Sequence, residues 1–286
     1  ISFGAIGEYE RGISDLTKGI EKDPENFKMY LYRAECFYKL KAYGKSIADL
    51  KEAIKNDPEN YTLYEHLSEC YADMGDTEKA FEVLKKDGIP HSKYLNAQAN
   101  LYYHLCETDK AIEKLEEALK ESPSDKDTLK MLSIIDMQIG KYNEALAIFE
   151  KLSQRSDIDL FYLFNNKGYL YFLKGDLKNA LTYCKKAIEA DPYIGNTYDT
   201  LGSIYDAKGD YEKAVEYFNK AIKLAPTKAI IYYNRAMTYE KMGKFNEALD
   251  SYETYLNLGE EDCSFGREEK AKDKVQKLKN KIKHMN

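Results

Sequence analysis

The chain has 286 residues, of which 43% are apolar and 32% charged, so it combines a soluble surface with enough apolar side chains for a core. Its 26 tyrosines and 11 phenylalanines exclude a disordered chain. The net charge of −6 argues against a nucleic-acid partner, and the absence of an apolar run of about eighteen residues argues against a membrane span.

The sequence repeats itself with a period near 34 residues. Pro24 and Pro58 lie 34 residues apart, and so do Pro192 and Pro226. Small residues recur at steps of 31 to 35 residues, at Ser46, Ala80, Ala111, Ala145, Ala180, Ala214 and Ala248. Glycines recur at steps of 34 or 35 residues, at Gly140, Gly175, Gly209 and Gly243. Three residue types that share one period predict a repeated structural unit.

One period, residues 195–228, contains the pattern of two helices. In its first half, the residues at helical spacing are Tyr198, Leu201, Gly202 and Tyr205. In its second half, they are Ala214, Phe218 and Ala221. Gly209 separates the two halves, because glycine tolerates the positive φ of a tight turn, and Pro226 ends the unit. The small residues allow two helices to approach closely, and the aromatic residues fill the remaining space.

These residues resemble the tetratricopeptide repeat (TPR) family, whose 34-residue helix–turn–helix unit has the pattern W-x2-L-G-x2-Y followed by A, F, A and P. Residues 195–228 match it closely, with Tyr198 in the place of the tryptophan that this chain lacks. The resemblance covers nearly the whole sequence. It implies an all-α fold, a TPR α-solenoid in which antiparallel helix pairs form a right-handed superhelix.

In chain order, the resemblance predicts a solenoid over residues 1–262 that begins with a partial repeat at 1–26. The count back from Pro24 places Ile1 inside a first helix and puts the turn at Gly7. The full repeats are predicted at 27–60, 61–91, 92–125, 126–160, 161–194, 195–228 and 229–262.

The repeat at 61–91 is three residues short, and Asp87–Gly88 stand where a small buried residue is expected. The repeat at 126–160 lacks the terminal proline. At both joints we predict a local change in the superhelical twist, with a simple loop variant as the alternative. Residues 263–286 lack the period and form a predicted capping helix with Ser264 as its N-cap. Its apolar residues recur at steps of three and four, at Ala271, Val275, Leu278, Ile282 and Met285.

No motif predicts catalysis, a cofactor or a metal site, so we expect a protein that is not an enzyme. The strongest metal candidate is the run Glu65, His66, Glu69 and Asp73, for which a solvated acidic helix face is the favoured interpretation. The five cysteines share no short spacing and are predicted to be reduced thiols, which favours a cytoplasmic location.

A TPR solenoid has a concave groove lined by the first helix of each repeat. The resemblance places amides and aromatic residues at groove positions in the middle of the chain. The candidate peptide-binding residues are Asn96, Asn100, Tyr103, Lys130, Asn165, Asn166, Tyr169, Asn196 and Asn234. An asparagine side chain both donates to and accepts from a peptide backbone. Asn166 and Asn234 partly resemble the asparagine ladder with which TPR superhelices of the O-GlcNAc transferase type bind peptides.

Chaperone-binding TPR domains instead clamp two carboxylates with a set of lysine, asparagine and arginine residues. The best window here supplies Lys130 and Asn166, whereas Ile134, Asn196 and Thr200 stand at the other three positions. Two of five residues, without the second pair of cations, do not hold a free carboxylate well. We therefore predict that this chain is not a two-carboxylate-clamp chaperone binder.

The predicted function is protein–protein interaction: a scaffold or adaptor that holds a partner protein or an extended peptide in the groove. Two alternatives stay open. The chain starts at Ile1 without methionine, which suggests a recognition module truncated from a larger enzyme or regulator. It could also be a self-associating structural protein.

Overall fold

The structure, a computed structural model, describes residues 3–259 and 266–284, and these form sixteen helices and no strand. In chain order the helices are α1 (Phe3–Lys22), α2 (Phe27–Lys39), α3 (Tyr43–Asn56), α4 (Tyr61–Asp73), α5 (Thr77–Val83), α6 (His91–His104), α7 (Thr108–Glu121), α8 (Lys126–Gln138), α9 (Tyr142–Ser153), α10 (Leu160–Leu173), α11 (Leu177–Ala190), α12 (Gly195–Ala207), α13 (Tyr211–Leu224), α14 (Ala229–Lys241), α15 (Phe245–Leu258) and α16 (Arg267–Lys283). The all-α prediction is confirmed.

The described helices pack into two compact units, one before and one after the boundary between Met131 and Leu132, which falls inside α8. In the first unit, α2, α4 and α6 each pack against the helix that follows. In the second unit, α10, α12 and α14 do the same, and α16 packs against α15. The sequence analysis predicted no boundary at this place. Its division of the chain into repeats stays a prediction.

Each turn between the two helices of a pair needs a residue with positive φ. At Gly209, φ is 79°, and the backbone bonds Gly209 N to Asp206 O and Asp210 N to Tyr205 O close the end of α12. Glycine fills the equivalent place at Gly75, Gly140, Gly175 and Gly243. In two helix pairs the residue with positive φ is not a glycine: φ is 57° at Lys41 and 61° at Cys106.

Close helix approach depends on the small residues that mark the period. Ala214 and Ala221 on α13 are completely buried, and a Cβ atom at Gly202 would lie 2.5 Å from the ring of Phe218. Tyr198, in the place of the family's tryptophan, is buried and donates its hydroxyl to the carbonyl of Pro192 at 3.0 Å. Tyr64 and Tyr232 make the same bond to the proline six residues before them. Each of these tyrosines thus adds a hydrogen bond to the apolar packing of its ring.

A cation links the second helices of successive pairs in the first unit. Arg33 on α2 donates to both carboxylate oxygens of Asp49 on α3 at 2.7 Å, and to the hydroxyl of Thr17 on α1 at 2.9 Å. Asp49 is only 6% exposed, and its hydrogen bond raises the pKa of Arg33. Leu67, one period later, has an apolar side chain at the equivalent place.

One expectation is wrong, one stays untested, and two concern residues that the structure does not describe. Gly7 lies inside the continuous helix α1, so the turn expected there does not form, because one glycine costs a helix only about 1 kcal/mol. In the short repeat, α5 has 7 residues where α3 and α7 have 14, and the change in superhelical twist stays a prediction. The predicted N-cap Ser264 and the predicted apolar residue Met285 lie outside the described residues.

We expect Lys41→Gly to raise the free energy of unfolding by about 1 kcal/mol, because it removes the steric cost of a side chain at positive φ. Denaturant unfolding measures the change. The matched control is Gly209→Ala, which should lower stability by a similar amount, since no atom lies within 4 Å of the added Cβ and only the backbone cost remains. A lower stability for Lys41→Gly would contradict this account.

We expect Asp49→Val alone to destabilise the first unit by about 3 kcal/mol, because it leaves the guanidinium of Arg33 half-buried without its anion. The double variant Arg33→Leu with Asp49→Val copies Leu67 and Val83, the equivalent pair one period later. It should recover most of the loss, since a packed apolar pair replaces a buried ion pair at little cost. Thermal unfolding of the unaltered chain, Asp49→Val and the double variant measures the two losses. Equal losses in the single and double variants would argue against this account.

Candidate functional site

The first helices of the second unit line a groove with a volume of about 590 Å³. We call it the second-unit groove. Residues of α10, α12 and α14 form most of its wall, and α10 and α14 both pack against α12. Its amide and aromatic residues include Asn165, Asn166, Tyr169, Phe172, Asn196 and Asn234.

The structure brings together five of the nine candidate peptide-binding residues. These five, which line the second-unit groove, are Asn165, Asn166, Tyr169, Asn196 and Asn234. The other four belong to the first unit, where Asn96, Asn100 and Tyr103 lie on α6 and Lys130 on α8. The part of these four in binding stays a prediction.

Two of the candidate asparagines hold successive first helices together. The Oδ1 of Asn165 accepts a hydrogen bond from the buried hydroxyl of Thr197 at 2.9 Å. Asn96, at the equivalent place, accepts from Thr128 at 2.8 Å. The side-chain oxygen of Asn165 is therefore engaged, and its Nδ2 group is the one that can donate to a ligand carbonyl.

The remaining amides offer both hydrogen-bonding senses. Asn166 donates its Nδ2 to the carbonyl of Tyr162 at 2.8 Å, which leaves its Oδ1 as an acceptor. Asn196 accepts from the ammonium of Lys228 at 2.6 Å, which leaves its Nδ2 as a donor. A groove with donors and acceptors side by side can satisfy the N–H and C=O groups of an extended backbone.

Apolar side chains line the groove beside the amides. Tyr169 and Phe172 on α10 stack with their ring centroids 6.4 Å apart, and Met237 on α14 also lines the groove. Tyr169 is 41% exposed and Met237 is 37% exposed. Large apolar groups that stay open to solvent in a concave surface are typical of binding sites.

Two carboxylates on α12 also line the groove, although neither was among the candidate residues. Asp206 forms an ion pair with Lys241 and accepts from the hydroxyl of Thr238 at 2.9 Å. Asp199 accepts from Asn234 at 3.0 Å, and burial raises the pKa of its carboxyl, against the opposing effects of that bond and of the charge on Lys228. Both stand at positions that the family's repeat pattern assigns to the groove, and this was the signal that could have selected them.

The first unit has a smaller pocket of about 380 Å³, whose lining includes Cys36, His66, Glu69 and Cys70. His66 lies 3.6 Å from the carboxylate of Glu69, whose hydrogen bond raises the pKa of the imidazole. Burial raises the pKa of the Cys70 thiol to about 11, so this sulfur stays protonated near neutral pH. Within residues 3–259 and 266–284, no three His, Cys, Asp or Glu side chains are grouped so that they could hold a metal ion.

Three of the five cysteines, Cys36, Cys70 and Cys184, are free thiols, as the sequence analysis expects. Cys263 lies outside the described residues. In the described part of the chain, no helix has the length and apolar character needed to cross a membrane.

Sequence models of the tetratricopeptide repeat match five segments that together span most of the chain. The matched segments are residues 1–61, 61–86, 107–157, 159–227 and 217–250. The search of curated proteins found no match.

Solved structures show the same fold at low sequence identity. A tetratricopeptide repeat protein from Parabacteroides merdae is 18% identical with a TM-score of 0.66, over 88% of this chain and 98% of its own. Tom70 from yeast is 16% identical with a TM-score of 0.64, over 97% of this chain. Cut9, in an APC/C hetero-tetramer with Hcn1, is 18% identical with a TM-score of 0.61, over 94% of this chain.

This chain spans only 60% of the Tom70 chain and 52% of the Cut9 chain, so these two similarities concern the fold alone. The segment matches extend along most of the sequence, and the helix pairs of the structure have the fold of these solved proteins. The chain belongs to the tetratricopeptide repeat family.

Proposed function

We propose that the chain is a protein-interaction scaffold that holds an extended segment of a partner protein in the second-unit groove. The observation that carries the proposal is the lining of that groove, where amides of both hydrogen-bonding senses lie beside exposed aromatic and methionine side chains. The general role in protein–protein interaction is supported by the family.

Backbone recognition explains the composition of this lining. An extended segment exposes unpaired N–H and C=O groups, and the Asn166 oxygen and the Asn196 Nδ2 are of the matching kinds. Tyr169 and Met237 add apolar contact area, and the thioether of Met237 adapts to side chains of different shape. We also propose that the partner contacts the first unit, at Asn96, Asn100, Tyr103 and Lys130. The proposed location of the protein is the cytoplasm.

Panning of a displayed library of random dodecapeptides against the purified chain tests the proposal. We expect Tyr169→Ala to weaken the selected peptides about tenfold or more, because a partly exposed aromatic residue in a groove carries a large share of binding energy. Its exposure makes a large loss of stability unexpected. Fluorescence anisotropy with the selected peptides measures the affinities.

The matched control is Tyr193→Ala. Tyr193 is 77% exposed in the same unit and does not line the groove, so its truncation should leave peptide affinity unchanged. Selection of no peptide, or equal affinity for the Tyr169→Ala variant and the unaltered chain, would reject the second-unit groove as the binding site.

A further inference from the structure

The two carboxylates of the second-unit groove have different surroundings. Asp206 is neutralised within the protein by its ion pair with Lys241. Asp199, two helical turns earlier on α12, accepts a single hydrogen bond from the neutral amide of Asn234 at 3.0 Å, and no cation among the described residues forms an ion pair with it. Asp199 is therefore the carboxylate of the groove that has no cationic partner within the described part of the chain.

The neighbouring cation is engaged elsewhere. The ammonium of Lys228 donates to Asn196 at 2.6 Å, and its charge acts on Asp199 only from a distance. Burial holds the pKa of Asp199 above its usual range, which shows that the surroundings oppose its negative charge. A carboxylate in a partly desolvated site, with one neutral hydrogen-bond donor, is strongly stabilised when it forms an ion pair with a cationic group of a ligand.

The aromatic residues of the same groove suit the flat cation of arginine. The guanidinium of Arg267, from the start of α16, already lies over the ring of Tyr233 with its carbon 5.9 Å from the ring centroid. Tyr169 and Phe172 supply two further rings in the lining. A guanidinium can stack on such rings and at the same time donate two parallel hydrogen bonds to a carboxylate.

We propose that Asp199 is a specificity-determining residue of the second-unit groove and pairs with a basic side chain, arginine in preference to lysine, of the bound partner segment. This inference rests on the proposed function. It predicts that the groove selects a cationic residue at one fixed place in an otherwise tolerant peptide, because the amides contact backbone groups that every sequence has.

The probe is the same library of random dodecapeptides, panned in parallel against the unaltered chain and against Asp199→Asn. We expect the unaltered chain to select arginine or lysine at one aligned position and the variant to lose that preference. With the best peptide, Asp199→Asn and replacement of the peptide arginine by glutamine should each weaken binding about tenfold, and both together little more than either alone. Asp199→Lys should select aspartate or glutamate at the same position.

Two controls separate the possible causes. Glu212→Gln removes one negative charge from the outer helix α13 of the same unit and should leave the peptide preference unchanged. Asp199→Asn keeps an acceptor for Asn234 and removes a poorly solvated charge, so its unfolding midpoint should equal or exceed that of the unaltered chain. Weaker peptide binding by this variant then cannot be assigned to loss of the fold.

The results distinguish the two proposals. If peptides bind and depend on Tyr169 but show no basic preference, or keep it in Asp199→Asn, the role of Asp199 is overturned and the groove as a peptide site stands. If the unaltered chain selects no peptide, or Tyr169→Ala binds as well as the unaltered chain does, the proposed function fails and the inference fails with it.

Discussion

The close approach of the two helices in each pair is the constraint on which the rest of this structure depends. A Cβ atom at Gly202, on a first helix, would overlap the ring of Phe218. On the second helices, Ala180, Ala214 and Ala248 stand at places equivalent to one another and are completely buried. Only residues with little or no side chain fit there, and the aromatic residues beside them fill the space that is left. Because this contact uses one side of each first helix, its opposite side is left to form a groove.

Some groove residues also stabilise the fold, because they form hydrogen bonds between successive first helices. Asn165 joins α10 to α12 through Thr197, and Asn234 joins α14 to α12 through Asp199. Each bond uses one end of the amide and orients the other. The contacts that hold successive first helices together therefore also set the direction of the groups that face the groove, which reduces the entropy lost when a ligand binds.

Much of the fold could be predicted because it depends on residue size and local geometry. The period of small residues predicted helix pairs, and the glycines predicted the turns at Gly140, Gly175, Gly209 and Gly243, all of which have positive φ. The exceptions follow from effects that a pattern does not show. Gly7 lies within α1, since a helix tolerates a single glycine, and Lys41 takes the conformation of a turn glycine because the closing backbone bonds impose it.

The sequence by itself determined the family, the helix pairs and the amide-rich character of the groove-facing positions, because these depend on spacing and on the chemistry of single residues. Only the tertiary structure decided which of these amides lie around one groove and which end of each amide is engaged. It also decided that, among the described residues, Asp206 has a cationic partner and Asp199 has none. Apart from the bond of Asn166 to Tyr162 within one helix, these properties depend on contacts between residues 32 to 35 positions apart. Such contacts depend on the packing of successive helix pairs, and no local sequence pattern identifies them.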